Sequence, residues 1–170
     1  MSILNILKYP DHRLHTIASH VDVVNDEIRL LIKNMAETMY AVSGIGLAAT
    51  QVNYHKQIIV IDISEGKNDL LVLINPKLLE SAGCQESDEG CLSVPEIFEK
   101  VRREDSIRIE ALNVQGKSIE LKANGLLSVC IQHEMDHLVG KVFVEYLSPL
   151  KKNRIRKKMI KKNKQSFVLV

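Results

Sequence analysis

The segment QHEMDH, residues 132–137, places His133 and His137 four positions apart with Glu134 between them. On a helix this spacing turns about 40° and rises about 6 Å, so both imidazoles can reach one metal ion. Glu134, rotated about 100° from His133 and about 60° from His137, can face a water on that ion without ligating it. Two imidazoles leave the coordination incomplete. A site that acts on a substrate needs a third protein ligand and one open position.

The residues after the helix do not supply it. Phe143 stands where one familiar arrangement of such helices has a third histidine, and Glu145, the only acid after His137, follows by just eight residues. Cys130 lies on the ligand face but about 7.5 Å along the axis from the midpoint of the histidines, too far for a sulfur that must come within about 2.3 Å of the ion. Cys91 in EGCLSVP is the better candidate: Gly90 permits close approach of backbone or substrate, and Pro95 is expected to end the segment. Cys130 then lines the wall beside the metal, and Cys84 is dispensable. Three cysteines are too few, and odd in number, for a disulfide framework.

The elements that must carry these residues alternate along the chain. Asn25 and Asp26 are suited to capping a helix over 26–42, whose Ile28, Leu31, Ile32, Met35 and Met39 recur at helical spacing. GIGLAATQV, 44–52, interrupts with two glycines. QIIVIDI (57–63) and LLVLINP (70–76) read as buried strands ending at polar or proline signals, and SIRIEAL (106–112) with KSIELKA (117–123) as a hairpin around NVQG. Asn124 is placed to open the ligand-bearing helix and Gly140 to stop it, and Ser148 with Pro149 starts a last helix with a thin apolar stripe of Leu150, Ile155 and Met159. The class is α+β.

At 170 residues and 45% hydrophobic content the chain suits one globular domain. The N-terminus MSILNILKYP has no secretory pattern and no run approaches a membrane span, so a cytoplasmic protein with no membrane partner is expected. The net charge of +2 hides an asymmetry. Nine of the 23 basic residues and no acid fall in 151–170, leaving 14 bases against 21 acids in the first 150 residues. A tail of that sign suits a polyanionic partner.

Taken together, GIGLAATQ (44–51), EGCLS (89–93) and QHEMDH (132–137), in that order, resemble the signatures of the bacterial peptide deformylases, with similarity over most of 1–147. The resemblance implies a metal-dependent hydrolase that removes the N-terminal formyl group from the formyl-methionine of newly made proteins, releasing formate. It implies Cys91, His133 and His137 as metal ligands, Glu134 as the acid/base, and Gln51 with the backbone N–H of Leu92 as donors to the developing oxyanion. It also implies iron(II) as the native metal, with zinc or nickel able to substitute. The implied fold has antiparallel sheets around a central metal-bearing helix, followed by a C-terminal helix: residues 1–147 form the catalytic part and 148–170 a basic helix of the same domain. In related bacterial enzymes that helix docks on the ribosome, where RNA supplies phosphate.

The chemistry agrees with these roles. A metal held by one thiolate and two imidazoles polarises a carbonyl and makes water acidic. A carboxylate such as Glu134 can carry the proton from water to the leaving amine, and one amide donor such as Gln51 aimed at an oxyanion is worth ~3 kcal/mol. Gly44, Ile45 and Gly46 could expose a strand edge on which a peptide lies, with Gly90 opposite. Leu126, Val129 and Cys130 form an apolar pocket for a methionine side chain, although core packing would give the same stripe. Arg103 and Asp136 are either supports of the site or surface charges. Phe98 and Ser87 stand where some members of the family carry arginine and an aliphatic residue, which bears on contacts beyond the first substrate residue. A metallopeptidase, or a nucleic-acid-binding protein with a structural metal, would share the histidines. The first is distinguished by a third ligand other than Cys91, and the second leaves Glu134 and Gln51 without a task.

Overall fold

The computed structural model describes residues 3–168. Helix α1 spans Asp26–Ala41, and the Asn25 side chain caps it by accepting from the Ile28 N–H. Strands β1 (Gly46–Ala48), β2 (Ile58–Ile61), β3 (Leu71–Ala82), β6 (Ser106–Leu112) and β7 (Ser118–Asn124) form one antiparallel sheet in the order β1-β2-β3-β6-β7. Strands β4 (Gln85–Cys91) and β5 (Val94–Arg103) form a separate antiparallel pair. Helix α2 is Gly125–Leu138 and helix α3 is Pro149–Val168.

The unbroken apolar run of β2 has a direct cause. Successive side chains of a strand point to opposite faces, and here both faces are covered. Ile58 and Val60 meet Leu31, Met35 and Met39 of α1, whereas Ile59 and Ile61 join Cys130, Ile131 and Leu138 of α2. Helix α2 is thus fastened to the sheet by Ile131 and turns its histidines away from it. Gly140 ends the helix as expected, with φ +76°. A Cβ there would stand 2.5 Å from the His15 carbonyl oxygen, so both the conformation and the close approach select glycine.

The expected hairpin of residues 106–112 and 117–123 forms, with register running from Ser106 opposite Asn124 to Leu112 opposite Ser118. Several boundaries differ from expectation. Strand β3 runs through Pro76 because Asn75 takes φ +53° and starts an irregularity between Ile74 and Lys77, and the Asn75 side chain pairs with both backbone groups of Val21. Pro95 lies within β5 instead of ending the segment. Asn124 occupies the cap position of α2 but makes no capping bond with its side chain.

Helix α3 packs against the body through part of its thin apolar stripe. Ile155 and Met159 are buried with Leu7, Leu14, Val94 and Phe143, while Leu150 is 73% exposed. Lys151 pairs with Glu99 at 2.6 Å and Lys162 with Glu96 at 2.7 Å, so the helix is docked on the β4–β5 side by two apolar anchors and flanking ion pairs. A basic composition did not prevent packing, because the long cationic side chains occupy the flanks and the outer face.

Candidate active site

Cys91 ends β4 and pairs with Val94, so Leu92 and Ser93 form the two-residue loop of a tight hairpin. Helix α2 brings His133 and His137 to that loop. The Cys91 Sγ lies 3.3 Å from His137 Nε2, and one ligand atom from each of Cys91, His133 and His137 falls within 4.8 Å of the others. Among the described residues this is the one such group of three His, Cys, Asp or Glu side chains. A thiolate and two imidazoles at this separation fit a divalent transition metal, with room for a non-protein ligand.

Of the two imidazoles His133 is held from behind, whereas the buried His137 Nδ1 has no hydrogen-bond partner among the described residues. His133 Nδ1 lies 2.8 Å from Glu89 Oε2. Burial works to raise the Glu89 carboxyl, but hydrogen bonds from His133 and Arg103 outweigh it and hold its pKa at about 2. The carboxylate therefore accepts, Nδ1 carries the proton, and Nε2 is left for the metal. Arg103 grips Glu89 through Nε at 2.7 Å and Nη2 at 3.0 Å, and reaches Asp136 Oδ2 through Nη1. Tyr146 donates to the same Asp136 oxygen at 2.8 Å and lies under the guanidinium. Arg103 is buried and joins β4, β5 and α2, so the supporting role weighed for Arg103 and Asp136 fits the structure better than surface charge. Burial pushes His137 well below its ordinary pKa and keeps it neutral, and Thr50 donates to its carbonyl oxygen.

Glu134 is buried, and its Oε2 has no hydrogen-bond partner. Burial pushes its pKa up to about 7, with Glu89 adding to the rise and His133 opposing it. A carboxyl poised near neutrality beside three side chains able to hold a metal has the properties of a general acid/base. Glu134 also lines a cavity of about 520 Å³ together with Ile45, Gly46, Gly90, Cys91, Leu92, Leu126, Val129, Cys130 and His133. Leu126 is half exposed at its rim, whereas Val129 and Cys130 are buried in its wall. Burial, reinforced by the nearby Glu134 and Glu89 charges, pushes the Cys130 thiol up to about 12, which suits inert packing.

Two sequence candidates stand behind that cavity. Gln51 is 1% exposed; its Oε1 accepts from the Ala48 N–H at 2.8 Å, and its Nε2 points to Ser93 Oγ at 3.1 Å and Cys91 Sγ at 3.5 Å. Gly44 packs against the Leu92 side chain and is absent from the cavity lining. Strand β1 is the edge of its sheet, with only β2 beside it, and Ile45 is exposed next to it. Sequence reasoning missed Glu89. The available signal was an acid two residues before the thiolate, together with the rule that a metal-bound imidazole needs a partner for its second nitrogen.

The polypeptide deformylase family model matches residues 3–153. The chain belongs to the polypeptide deformylase family. Peptide deformylase 2 of Nitrosomonas europaea is 61% identical over 167 residues, covering 98% of this chain and 90% of that protein. Peptide deformylase 1 of Burkholderia multivorans is 61% identical over 162 residues, covering 95% and 90%. The crystal structure of the Legionella pneumophila deformylase superposes with a TM-score of 0.93 at 41% identity, covering 97% of this chain and 98% of that one. The Ehrlichia chaffeensis deformylase in complex with actinonin superposes with a TM-score of 0.92 at 40% identity, covering 95% and 98%. This deformylase is a metal-dependent hydrolase that removes the N-terminal formyl group from newly synthesised polypeptides.

Proposed function

We propose that Cys91, His133 and His137 hold the metal, with iron(II) as the native ion and zinc or nickel able to replace it. The observation that carries this reading is the buried Glu134 carboxyl, its Oε2 without a hydrogen-bond partner, which lines the cavity together with Cys91 and His133, two of the three clustered donors. When bound, the metal polarises the formyl carbonyl and acidifies water. Glu134 takes the proton of the attacking water and returns it to the leaving amine, releasing formate. The Gln51 amide and the Leu92 N–H donate to the oxyanion as the carbonyl carbon becomes tetrahedral, the Gln51 amide exchanging Ser93 for substrate.

The peptide lies along Gly44, Ile45 and Gly46 on one side and Gly90 on the other, adding to the free edge of β1. The formyl-methionine side chain enters between Leu126, Val129 and Cys130. The activity belongs to the cytoplasm, where formylated chains emerge, and residues 1–147 carry it. Among the described residues no helix is long and apolar enough to cross a membrane. Helix α3, Pro149–Val168, belongs to the same domain and presents Arg154, Lys157, Lys161 and Lys164 outward for the phosphates of ribosomal RNA.

The test is formate release from formyl-Met peptides by anaerobically purified enzyme, with metal content measured on the same sample. Glu134→Gln should keep the metal and lose most turnover, and near-normal turnover would exclude Glu134 as the base. Formyl-Met peptides should be hydrolysed far faster than acetyl-Met peptides, and actinonin should compete with them.

A further inference from the structure

Three consecutive residues near the N-terminus grip the two segments that carry the proposed oxyanion donors. The Leu7 N–H donates to the Gln51 carbonyl oxygen at 2.8 Å, and the Tyr9 N–H donates to the Ser93 carbonyl oxygen at 2.8 Å. Between them, Lys8 Nζ donates to the Leu92 carbonyl oxygen at 2.6 Å, across 84 residues of sequence. Lys8 is half-buried and lines the cavity, and Leu7 and Tyr9 are buried on either side of it. Gln51 and Leu92 lie on different elements, a 3₁₀ turn after β1 and the β4–β5 loop. The 7–9 segment is therefore a clip across the two.

We propose that Lys8 is a positioning residue for deformylation: its ammonium holds the Leu92 carbonyl and so fixes the loop in which the Leu92 N–H faces the reacting carbonyl. The two backbone bonds of the clip would survive any side chain at position 8, but neither touches Leu92 itself. The Leu92 carbonyl sits in a two-residue loop, where rotation of one peptide reorients the next. A charge-assisted bond to that carbonyl is the restraint that stops it. An oxyanion donor contributes chiefly in the transition state, so loosening it lowers kcat and leaves KM nearly unchanged.

The inference rests on the reading of the Leu92 N–H as an oxyanion donor, and the test separates the two. Lys8→Met keeps the apolar stem and removes the donor, and Lys8→Arg restores a cationic donor. In the zinc-loaded protein the Leu92 amide NMR signal of Lys8→Met should shift and its hydrogen exchange accelerate. Metal content should be unchanged, kcat on a formyl-Met peptide should fall roughly 10- to 100-fold with KM within about twofold, and Lys8→Arg should recover much of the loss. A Leu92 signal that stays in place, or a loss confined to KM or metal content, overturns the proposal. A shifted signal with unchanged kcat overturns it as well, and places the failure in the role given to the Leu92 N–H and not in the Lys8 contact.

Discussion

A Cβ on Gly46 would stand 2.5 Å from Glu134 Oε1 and 3.1 Å from Glu134 Cδ. The absence of a side chain on β1 therefore leaves the space in which the buried carboxylate sits. Gly46→Ala should displace Glu134 and lower kcat by about 10²-fold, the scale of a misplacement near 1 Å. Metal content should be retained, because the three donors lie elsewhere. Turnover at the wild-type level would show that the carboxylate tolerates the move.

The ligand set predicts a hierarchy among the three cysteines. Cys91→Ser should lose tight metal and activity together, whereas Cys84→Ser and Cys130→Ser should keep both, since Cys84 is exposed and Cys130 is cavity wall. Metal analysis after exhaustive dialysis reads this directly. Retention by Cys91→Ser with loss by either of the others would reverse the assignment.

Arg103 and Glu89 are both buried and joined by two hydrogen bonds. Arg103→Met removes the cation held between the Glu89 and Asp136 carboxylates and leaves Glu89 with His133 alone, which should cost about 3–5 kcal/mol of stability. Glu89→Gln keeps a hydrogen-bonding group beside His133 but loses its charge, and should weaken metal affinity about 10- to 100-fold. Denaturant unfolding and metal competition measure the two effects separately.

Asp62 accepts from the Ser64 N–H and hydroxyl, the Tyr40 hydroxyl and the Asp69 N–H. Burial works to raise its pKa, but these bonds outweigh it and bring it to about 2, while burial and Asp62 itself push the Tyr40 phenol up to about 12. A carboxyl depressed on folding stabilises the native state fully above its unfolded pKa, near 4, and loses that contribution as pH falls through the folded value. Asp62→Asn should therefore be less stable than the parent by an amount that is constant from pH 7 to 5, and the gap should narrow between about pH 4 and 2. A gap that widened on acidification would contradict this assignment.

What could be read from the sequence was what is local in it. The pairing of His133 with His137 follows from helix geometry, and the 106–123 hairpin from alternation around a turn. Glu89 was hidden because its partners, His133 and Arg103, lie on α2 and β5, and only the folded chain brings them together. Pro76 and Pro95 pointed to strand ends, yet Asn75 in a left-handed conformation lets β3 continue, and β5 carries Pro95 as its second residue. In α3, where nine cations surround the thin stripe, the burial of Ile155 and Met159 was not legible, because the surface that receives them is assembled from Leu7, Leu14, Val94 and Phe143.

That packing changes how the role of the C-terminal helix must be tested. Removing residues 151–170 would strip Ile155 and Met159 from the core and confound recruitment with stability. Ile155→Ala or Met159→Ala alone should cost about 2–4 kcal/mol. The cleaner variant replaces Arg154, Lys157 and Lys161 with glutamine, since all three are exposed on the face opposite the anchors. It should hydrolyse a short formyl-Met peptide at nearly the parental rate and melt within a few degrees of the parent. Ribosome co-sedimentation at low salt should weaken, and binding by the parent should fall steeply with added salt as phosphate contacts are lost. Equal co-sedimentation of the two proteins would reject recruitment through this face and leave the assignment of the metal site as it stands.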